Sequence, residues 1–291
     1  MMQSGACVKR DFSDHPCFYG SAKNRFGRIH LPVAPECNIQ CNFCNRLYDC
    51  ANENRPAVTM GILEPDQVLA YLSKLLQGKL DISVVGIAGP GDPLCDPQRT
   101  LDTIRAVQSV YPDLLLCIST NGLNLPEYID DFADAGVTHM TVTVNAVDPE
   151  IGRLIYSRAA LGRRTYRGTK AAECILSRQR EAIAGLKARG IIVKINTVVI
   201  PAINTDHILT IAEEMASLGA DIMNCIPVIP LSDTPFEHLE IPAAAEMNRI
   251  RNSASLFIPQ MYHCQRCRAD AVGLICSNGG CEAIEKQRIP L

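Results

Sequence analysis

Val33-Ala34-Pro35-Glu36-Cys37-Asn38-Ile39-Gln40-Cys41-Asn42-Phe43-Cys44 follows an apolar, β-like run and carries three cysteines at CxxxCxxC spacing. Three thiolates on one short loop can hold three irons of a cubane [4Fe–4S] cluster and leave the fourth iron without a protein ligand. An open iron can bind a substrate or cofactor, whereas a fully ligated cluster mostly carries electrons. A structural zinc loop is the alternative, but zinc favours four protein ligands and two-plus-two spacing.

Outward from this loop the chain alternates. β-like runs occur at 28–34, 82–88, 114–119, 139–144, 191–199 and 221–228, with helical patterns at 65–77, 97–110, 125–135, 170–188 and 206–218. Pro65 and Pro97 stand where a first helical turn tolerates proline, and Gly78, Gly190 and Gly219 fall just past helix ends. Such βα repeats with right-handed crossovers build a parallel sheet. The reading is an α/β fold, a partial (β/α)6 barrel over residues 26–228, with an N-terminal extension 1–25 and a Cys-bearing C-terminal extension 229–291. Folds of this kind put their chemistry at the C-terminal ends of strands.

Composition narrows the class. The 291 residues are 47% hydrophobic and suit one sizeable domain with appendages. A net charge of −3 without a basic block implies no nucleic-acid partner. No run reaches the roughly 18 apolar residues of a membrane span. The start, Met1-Met2-Gln3-Ser4-Gly5, lacks the apolar region of a signal peptide. A cytoplasmic protein with reduced thiols is expected. Fourteen cysteines, clustered toward both ends, then exceed what one cluster needs and suggest more metal.

The triplet's spacing and Phe43 resemble the radical S-adenosylmethionine (SAM) superfamily, in which the open iron binds the amino and carboxylate groups of SAM. That resemblance implies the same partial barrel. The second β-run leads into Ala88-Gly89-Pro90-Gly91-Asp92-Pro93, the place of the superfamily's glycine-rich element that binds the methionine amino end. The usual Gly-Gly-Glu is replaced here, which puts a side-chain role for Asp92 in question. The third run ends in Ser119-Thr120-Asn121-Gly122, whose hydroxyl and amide groups suit ribose and carboxylate, or else cap an ordinary turn. Asn145, Asn196 and, more weakly, Lys194 are further SAM or substrate candidates.

Other cysteines carry two readings each. Cys117 shares a strand face with Ser119, and His30 precedes Cys37 by seven residues; alone each reads as core, but with Cys50 they form a Cys-Cys-His set. At the other end stand His263-Cys264-Gln265-Arg266-Cys267 and then Cys276 and Cys281. Cys264 and Cys267 could join Cys17 on a cluster, or join Cys276 and Cys281 on zinc. The stretch 148–169 holds Arg153, Arg158, Arg163, Arg164 and Arg167, either a solvated connector or a lid or docking surface for something anionic.

Together, His15-Pro16-Cys17, the stretch from Val33 to Cys44, Asn45-Arg46-Leu47-Tyr48-Asp49-Cys50 through Arg55-Pro56, and Cys264…Cys267-Arg268-Ala269-Asp270-Ala271-Val272-Gly273 resemble the NifB family of nitrogenase cofactor assembly. The resemblance spans nearly the whole chain, which ends before the carrier domain of larger members and so resembles the stand-alone core. It implies three clusters. Cys37, Cys41 and Cys44 would hold the SAM-binding one; Cys50 and Cys117 with His30 would hold a precursor cluster; Cys17, Cys264 and Cys267 would hold a second precursor, with His15 as the alternative nitrogen ligand.

The implied activity fuses both precursors into an eight-iron cluster around a carbide from a SAM methyl group. One SAM donates the methyl to a cluster sulfide, and a second, cleaved reductively, yields the 5′-deoxyadenosyl radical that takes hydrogen from it. Glu53 is the candidate base, or else a surface carboxylate pairing with Arg55 or Arg46. Implied partners are SAM, an iron–sulfur cluster donor, an electron donor, and a cofactor scaffold or carrier protein as acceptor. Lys23 and Asn24 stand where family members carry histidines. Two rivals remain: a radical SAM enzyme with permanent auxiliary clusters, such as a peptide-modifying one, and a non-catalytic cluster carrier.

Overall fold

The computed structural model describes residues 10–59 and 61–275, so Cys7, Cys276 and Cys281, with the zinc alternative that needs the last two, lie outside the described residues. The elements run β1 (Gly27–His30), β2 (Ile39–Cys41), α1 (Val68–Leu76), β3 (Ile82–Ile87), α2 (Pro97–Val110), β4 (Leu115–Thr120), α3 (Ile129–Asp134) and β5 (Val137–Thr143). There follow α4 (Pro149–Ile155), β6 (Tyr156–Leu161), β7 (Arg164–Arg167), α5 (Thr169–Ala188), β8 (Ile192–Val199), α6 (Ile208–Ser217), β9 (Ile222–Pro227), α7 (Ala244–Ala254) and β10 (Val272–Gly273).

Six parallel strands in the order β1-β3-β4-β5-β8-β9 curl into the expected half-barrel, and β10 adds antiparallel to β1 at the edge. The first strand is shorter than the apolar run 28–34 suggests. Pro32 has no N–H to give a ladder, and pairing resumes only as an isolated Ala34–Pro90 bridge. Pro97 and Pro149 sit in the first turns of α2 and α4, and Pro65 opens a 3-10 turn that leads into α1; Asp96 and Asp148 cap α2 and α4 by accepting from Arg99 and Glu150 backbone N–H groups.

Strand period two separates the faces. Ile29, Val85, Leu116, Met140, Val193 and Ile195 join one core with the helices. The opposite parity puts Arg28, His30, Gly86, Cys117, Ser119, Thr141, Lys194, Asn196 and Asn224 on the concave face. Parallel strands covered on both faces ordinarily read as continuous apolar runs. A polar inner face therefore marks the barrel interior as the working surface.

The stretch 148–169 is built of regular structure. It forms α4 and the β6–β7 hairpin, and β6 pairs antiparallel with β2 inside the cysteine loop. Gly162, at φ 57, turns the hairpin tip. At the opposite end of the barrel the N-terminal segment folds inward, where Phe18 packs on Val84, Leu115 and Cys117.

Candidate functional site

The cysteine loop is closed by Gln40, whose side-chain amide donates to the carbonyls of Cys44 (2.8 Å) and Cys41 (3.1 Å). Asn52 Nδ2 lies 3.6 Å from Cys41 Sγ and 3.7 Å from Cys50 Sγ, so one amide faces both thiols. Cys50 thus stands beside the triplet, where Cys44 and Glu53 are both electrostatic neighbours. Burial pushes the Cys37 and Cys41 thiols well up and Cys50 up to about 12. Without metal these are neutral thiols; bound iron would hold them as thiolates.

Two strand ends clamp this loop. Gly91 N–H donates to the Ala34 carbonyl and Asp92 N–H to the Glu36 carbonyl (2.7 Å). A Cβ on Gly91 would run into the Glu36 carbonyl, which is why glycine is needed there. The Asp92 carboxylate, only 5% exposed, accepts from Asn121 N–H (2.6 Å), Thr120 Oγ1 (2.8 Å) and Leu94 N–H (2.9 Å). Asn121 Nδ2 in turn donates to Asn38 Oδ1 (2.7 Å) and lies 3.9 Å from Cys37 Sγ. Gly89, Gly91, Asp92, Thr120 and Asn121 are thus brought to the cysteine loop. Asn145 is fully buried, donating to Asn52 Oδ1 (2.9 Å) and accepting from Val198 N–H (2.8 Å). It acts on the thiols through Asn52.

Inside the barrel lies a cavity that opens to solvent. Cys17, His30, Cys117, Cys264 and Cys267 border it, together with Glu53, Ser119, Lys194 and Asn196. His30, Gly86 and Cys117 occupy one row of the sheet, and the missing side chain of Gly86 leaves the space between imidazole and thiol. His30 Nδ1 is 3.2 Å from the Arg268 carbonyl. If Nδ1 carries the proton, Nε2 is the free ligand atom. Burial first, then the Arg28 guanidinium, pushes His30 down to about 4, so the ring is neutral and able to ligate.

Burial raises Cys117 to about 12 and Cys17 to about 11, with the Lys194 ammonium opposing both. Lys194 is 7% exposed and lies 4.7 Å over the Phe18 ring. Glu53 accepts from Thr143 Oγ1 and from Asn196 Nδ2 (2.6 Å), and Asn224 extends that chain to Asn196 (3.0 Å). Burial lifts the Glu53 carboxyl to about 7. Its sequence alternative, surface pairing with Arg55 or Arg46, does not occur among the described residues, since the half-buried Glu53 is held by Thr143 and Asn196 and Arg46 donates to the Pro35 carbonyl (2.7 Å).

The segments around Cys17 and around Cys264 meet at this cavity. His263 Nε2 is 2.9 Å from the Pro16 carbonyl, and Arg55 N–H donates to the Cys267 carbonyl (3.2 Å). His15 Nδ1 accepts from Cys17 N–H (3.2 Å), while its Nε2 is a buried atom without a hydrogen-bond partner among the described residues.

The sequence profile of the Radical SAM superfamily matches residues 31–215. The chain belongs to the radical SAM superfamily. Membership implies a [4Fe–4S] cluster that binds SAM, and an electron donor to it. Over 265 residues the chain is 48% identical to the FeMo cofactor biosynthesis protein NifB of Chlorobaculum tepidum, spanning 91% of this chain and 62% of that protein. NifB of Klebsiella pneumoniae is 43% identical over 90% of this chain and 57% of its own length; NifB of Azotobacter vinelandii is 39% identical over 94% and 55%. This radical SAM chain therefore spans only 55–62% of the length of these curated relatives. In fold it is similar to methylornithine synthase (PylB), with TM-score 0.50 and 18% identity over 90% of this chain and 77% of that one. It is likewise similar to native anSMEcpe with bound AdoMet, with TM-score 0.56 and 14% identity over 81% and 64%.

The residues fit the superfamily's cluster. Three thiols share one loop, Cys41 buried and Cys37 and Cys44 half-buried, with amide donors beside Cys37 and Cys41, which is the donor chemistry an iron–sulfur cluster takes. Among the described residues no three His, Cys, Asp or Glu side chains converge as a single metal ion would require. A cubane is larger and asks for sulfurs spread around it. On the cavity wall, Thr141 Oγ1 and Asn224 Oδ1 are buried without partners among the described residues, as a wall awaiting a polar occupant would be.

Three functional side chains escaped the sequence reading. Arg28, 2% exposed, donates to Cys267 Sγ (2.8 Å) and to the Leu274 carbonyl (2.7 Å). Arg266 donates to the Pro227 carbonyl (2.8 Å) and the Ala51 carbonyl, pinning the C-terminal loop beside Cys50. Asn52 is the third. Only Arg28 had a signal: a charge in a strand at the same parity as His30.

Proposed function

We propose that this chain is a NifB-type maturase that fuses two [4Fe–4S] precursor clusters and inserts a carbide derived from a SAM methyl group, making the eight-iron precursor of the nitrogenase cofactor. The observation that carries the reading is the single cavity bordered by Cys17, His30, Cys117, Cys264 and Cys267, with the carboxyl of Glu53 among them. A fusion reaction needs its two cluster substrates in one enclosed space. Permanent electron relays have no need to share a wall.

In this reading Cys37, Cys41 and Cys44 hold the resident cluster, which supplies, when bound, an open iron for SAM and the electron for its reductive cleavage. Asn121 and Asn52 donate toward the loop sulfurs, and Asp92 fixes the backbone on which Asn121 sits. Ser119, Thr120 and Asn121, at the end of β4, and Gly89 and Gly91, after β3, lie where SAM would rest.

The precursors are substrates. One would rest on His30, Cys50 and Cys117, the other on Cys17, Cys264 and Cys267. A nitrogen ligand or an incomplete thiolate set holds a cluster less permanently than four thiolates, which suits a substrate that must leave. Cys50, between the triplet and Glu53, would hold its precursor nearest to SAM. Asn196 and Thr143 hold Glu53 at the cavity, where its oxygens can take a proton from the methyl carbon. Arg28 steadies Cys267, and Lys194 offers a buried positive charge to thiolate-bound clusters. The iron–sulfur donor, the acceptor scaffold or carrier, and cytoplasmic residence belong to the same reading. Among the described residues no helix is long and apolar enough to cross a membrane.

The test is reconstitution with iron and sulfide, followed by SAM and reductant. Formation of 5′-deoxyadenosine, S-adenosylhomocysteine and an eight-iron species is expected. SAM cleavage without any change in cluster nuclearity would favour permanent auxiliary clusters, and no cleavage at all would mean a carrier.

A further inference from the structure

Residues 151–172 contain no Asp or Glu but five arginines and one lysine. In the fold these cations are treated unequally. Arg153 pairs with Glu150, at 2.6 Å. Arg163, Arg164, Arg167 and Lys170 are exposed and Arg158 is half-buried; among the described residues none of the five meets a carboxylate. The contrast with α5, the next element, is sharp. Beyond Lys170 in its first turn, its Arg178, Arg180 and Lys187 all meet carboxylates, as does Arg189 at its end. The whole chain is net negative at −3, so the hairpin is a local positive island rather than part of a basic surface.

The island is bonded directly to the cysteine loop. Ile39, Gln40 and Cys41 pair with Ala159, Arg158 and Tyr156. Asn42 N–H donates to the Ile155 carbonyl (2.8 Å), Ala160 N–H to the Asn38 carbonyl (2.8 Å), and Ser157 Oγ to the Gln40 carbonyl (3.1 Å). β7 is therefore two strand spacings, about 10 Å, from the strand that carries Cys41. No hairpin residue borders the barrel cavity. A partner seated here approaches the SAM-cleaving end and not the wall lined by Cys17, Cys264 and Cys267.

We propose that the β6–β7 hairpin is the docking surface for a small acidic electron-transfer protein that supplies the electron for reductive SAM cleavage. The proposal rests on the superfamily chemistry. Each cleavage takes one electron from the donor, which is oxidised by one. The C5′–S bond of SAM breaks, methionine leaves with the sulfur electron pair, and the 5′-deoxyadenosyl radical takes a hydrogen atom to become 5′-deoxyadenosine. Electron transfer requires brief, oriented encounters close to the acceptor. Redox partners use small interfaces, and complementary charge speeds and orients their encounter. Arginines held on a hairpin at the loop's side meet both needs. A cluster-delivering protein would need access to the cavity instead, and the chain's net charge of −3 disfavours a nucleic-acid or membrane surface.

The test uses the reconstituted full chain, SAM, and an acidic [2Fe–2S] ferredoxin kept reduced by its reductase, with dithionite as the small-molecule alternative. R163E/R164E/R167E is expected to lose about tenfold of the ferredoxin-driven 5′-deoxyadenosine rate at low salt and to keep the dithionite-driven rate. R163K/R164K/R167K should keep most of both. The wild-type ferredoxin rate should fall as ionic strength rises from about 0.05 to 0.5 M, because exposed charges are screened, while the dithionite rate holds. Equal ferredoxin rates in wild type and the charge-reversed variant would overturn the proposal, as would a wild type that ferredoxin cannot drive. Reversal-sensitive binding to phosphatidylserine vesicles or duplex DNA, with ferredoxin kinetics untouched, would overturn it in favour of those partners. Failure of dithionite-driven cleavage in the wild type would instead strike the SAM-cleavage reading itself.

Discussion

Replacing Asp92 should separate loop architecture from cluster chemistry. Its carboxylate is 5% exposed and receives three donors, two of them backbone N–H groups of Leu94 and Asn121 and the third the Thr120 hydroxyl. Burial raises its pKa, and those same donors pull the other way. In Asp92→Ala both N–H groups lose their acceptor in a buried place, at about 1–3 kcal/mol each, while the Thr120 hydroxyl can rotate. The expected loss is about 4 kcal/mol, a large share of a typical total of about 5–15 kcal/mol. Asp92→Asn keeps one oxygen but turns an NH2 toward one donor, so about 2 kcal/mol is expected. Urea unfolding of the metal-free, reduced chain reads both, with the order wild type, Asn, Ala and an unchanged denaturant slope. The Asn variant, once reconstituted, should also bind SAM less tightly, because Asn121 loses its anchor beside Cys37. A loss below about 1 kcal/mol in Asp92→Ala would refute the claim that this carboxylate ties the two strand ends together.

Three further expectations follow from the barrel interior. Cys117→Ala should lower reconstituted iron by about four atoms per chain and spare the SAM cluster's spectroscopic signal; loss of all signals together would mean a folding role. Arg28→Met removes the guanidinium from Cys267 Sγ and should shift the reduction potential of the cluster held there to more negative values, read by redox titration, with Arg28→Lys intermediate. His139, packed on His15 and Phe18, is held down to about 3 by burial and, less, by Lys194. Its folded pKa lies below the unfolded value near 6.5, so the unfolded chain takes up the proton first and stability falls as pH drops from about 6.5 toward 3. Between pH 7 and 5 the metal-free wild type should lose about 2 kcal/mol more than His139→Phe, measured by denaturant unfolding at each pH.

The six parallel strands and their helices were legible because period two, first-turn prolines and post-helix glycines are local signals. The gathering of Cys17 with Cys264 and Cys267 was one of two readings open at the cysteines themselves, and only whole-chain resemblance favoured it, since nothing local joins the two segments. The β6–β7 hairpin was not legible: Ser157, Arg158, Arg164 and Arg167 are polar on a sheet with little apolar face, so alternation gave no contrast. The strand's reason to exist is its pairing with Ile39–Cys41, more than a hundred residues earlier. Arg28 was hidden likewise, because its partner Cys267 is 239 positions away. Asp92 lacks the usual Gly-Gly-Glu context, and its three donors come from its own loop and the next strand end, so its side-chain role has no local sequence signal.

The central claim is that two clusters on the barrel wall are joined around a carbon taken from SAM. The most direct measurement gives the reconstituted chain SAM labelled with carbon-13 in its methyl group and reads the product cluster by electron–nuclear double resonance. The account predicts an eight-iron species with one strong carbon-13 coupling, absent when unlabelled SAM is used. A fused cluster without that coupling, or labelled methyl recovered entirely in methionine, would contradict it.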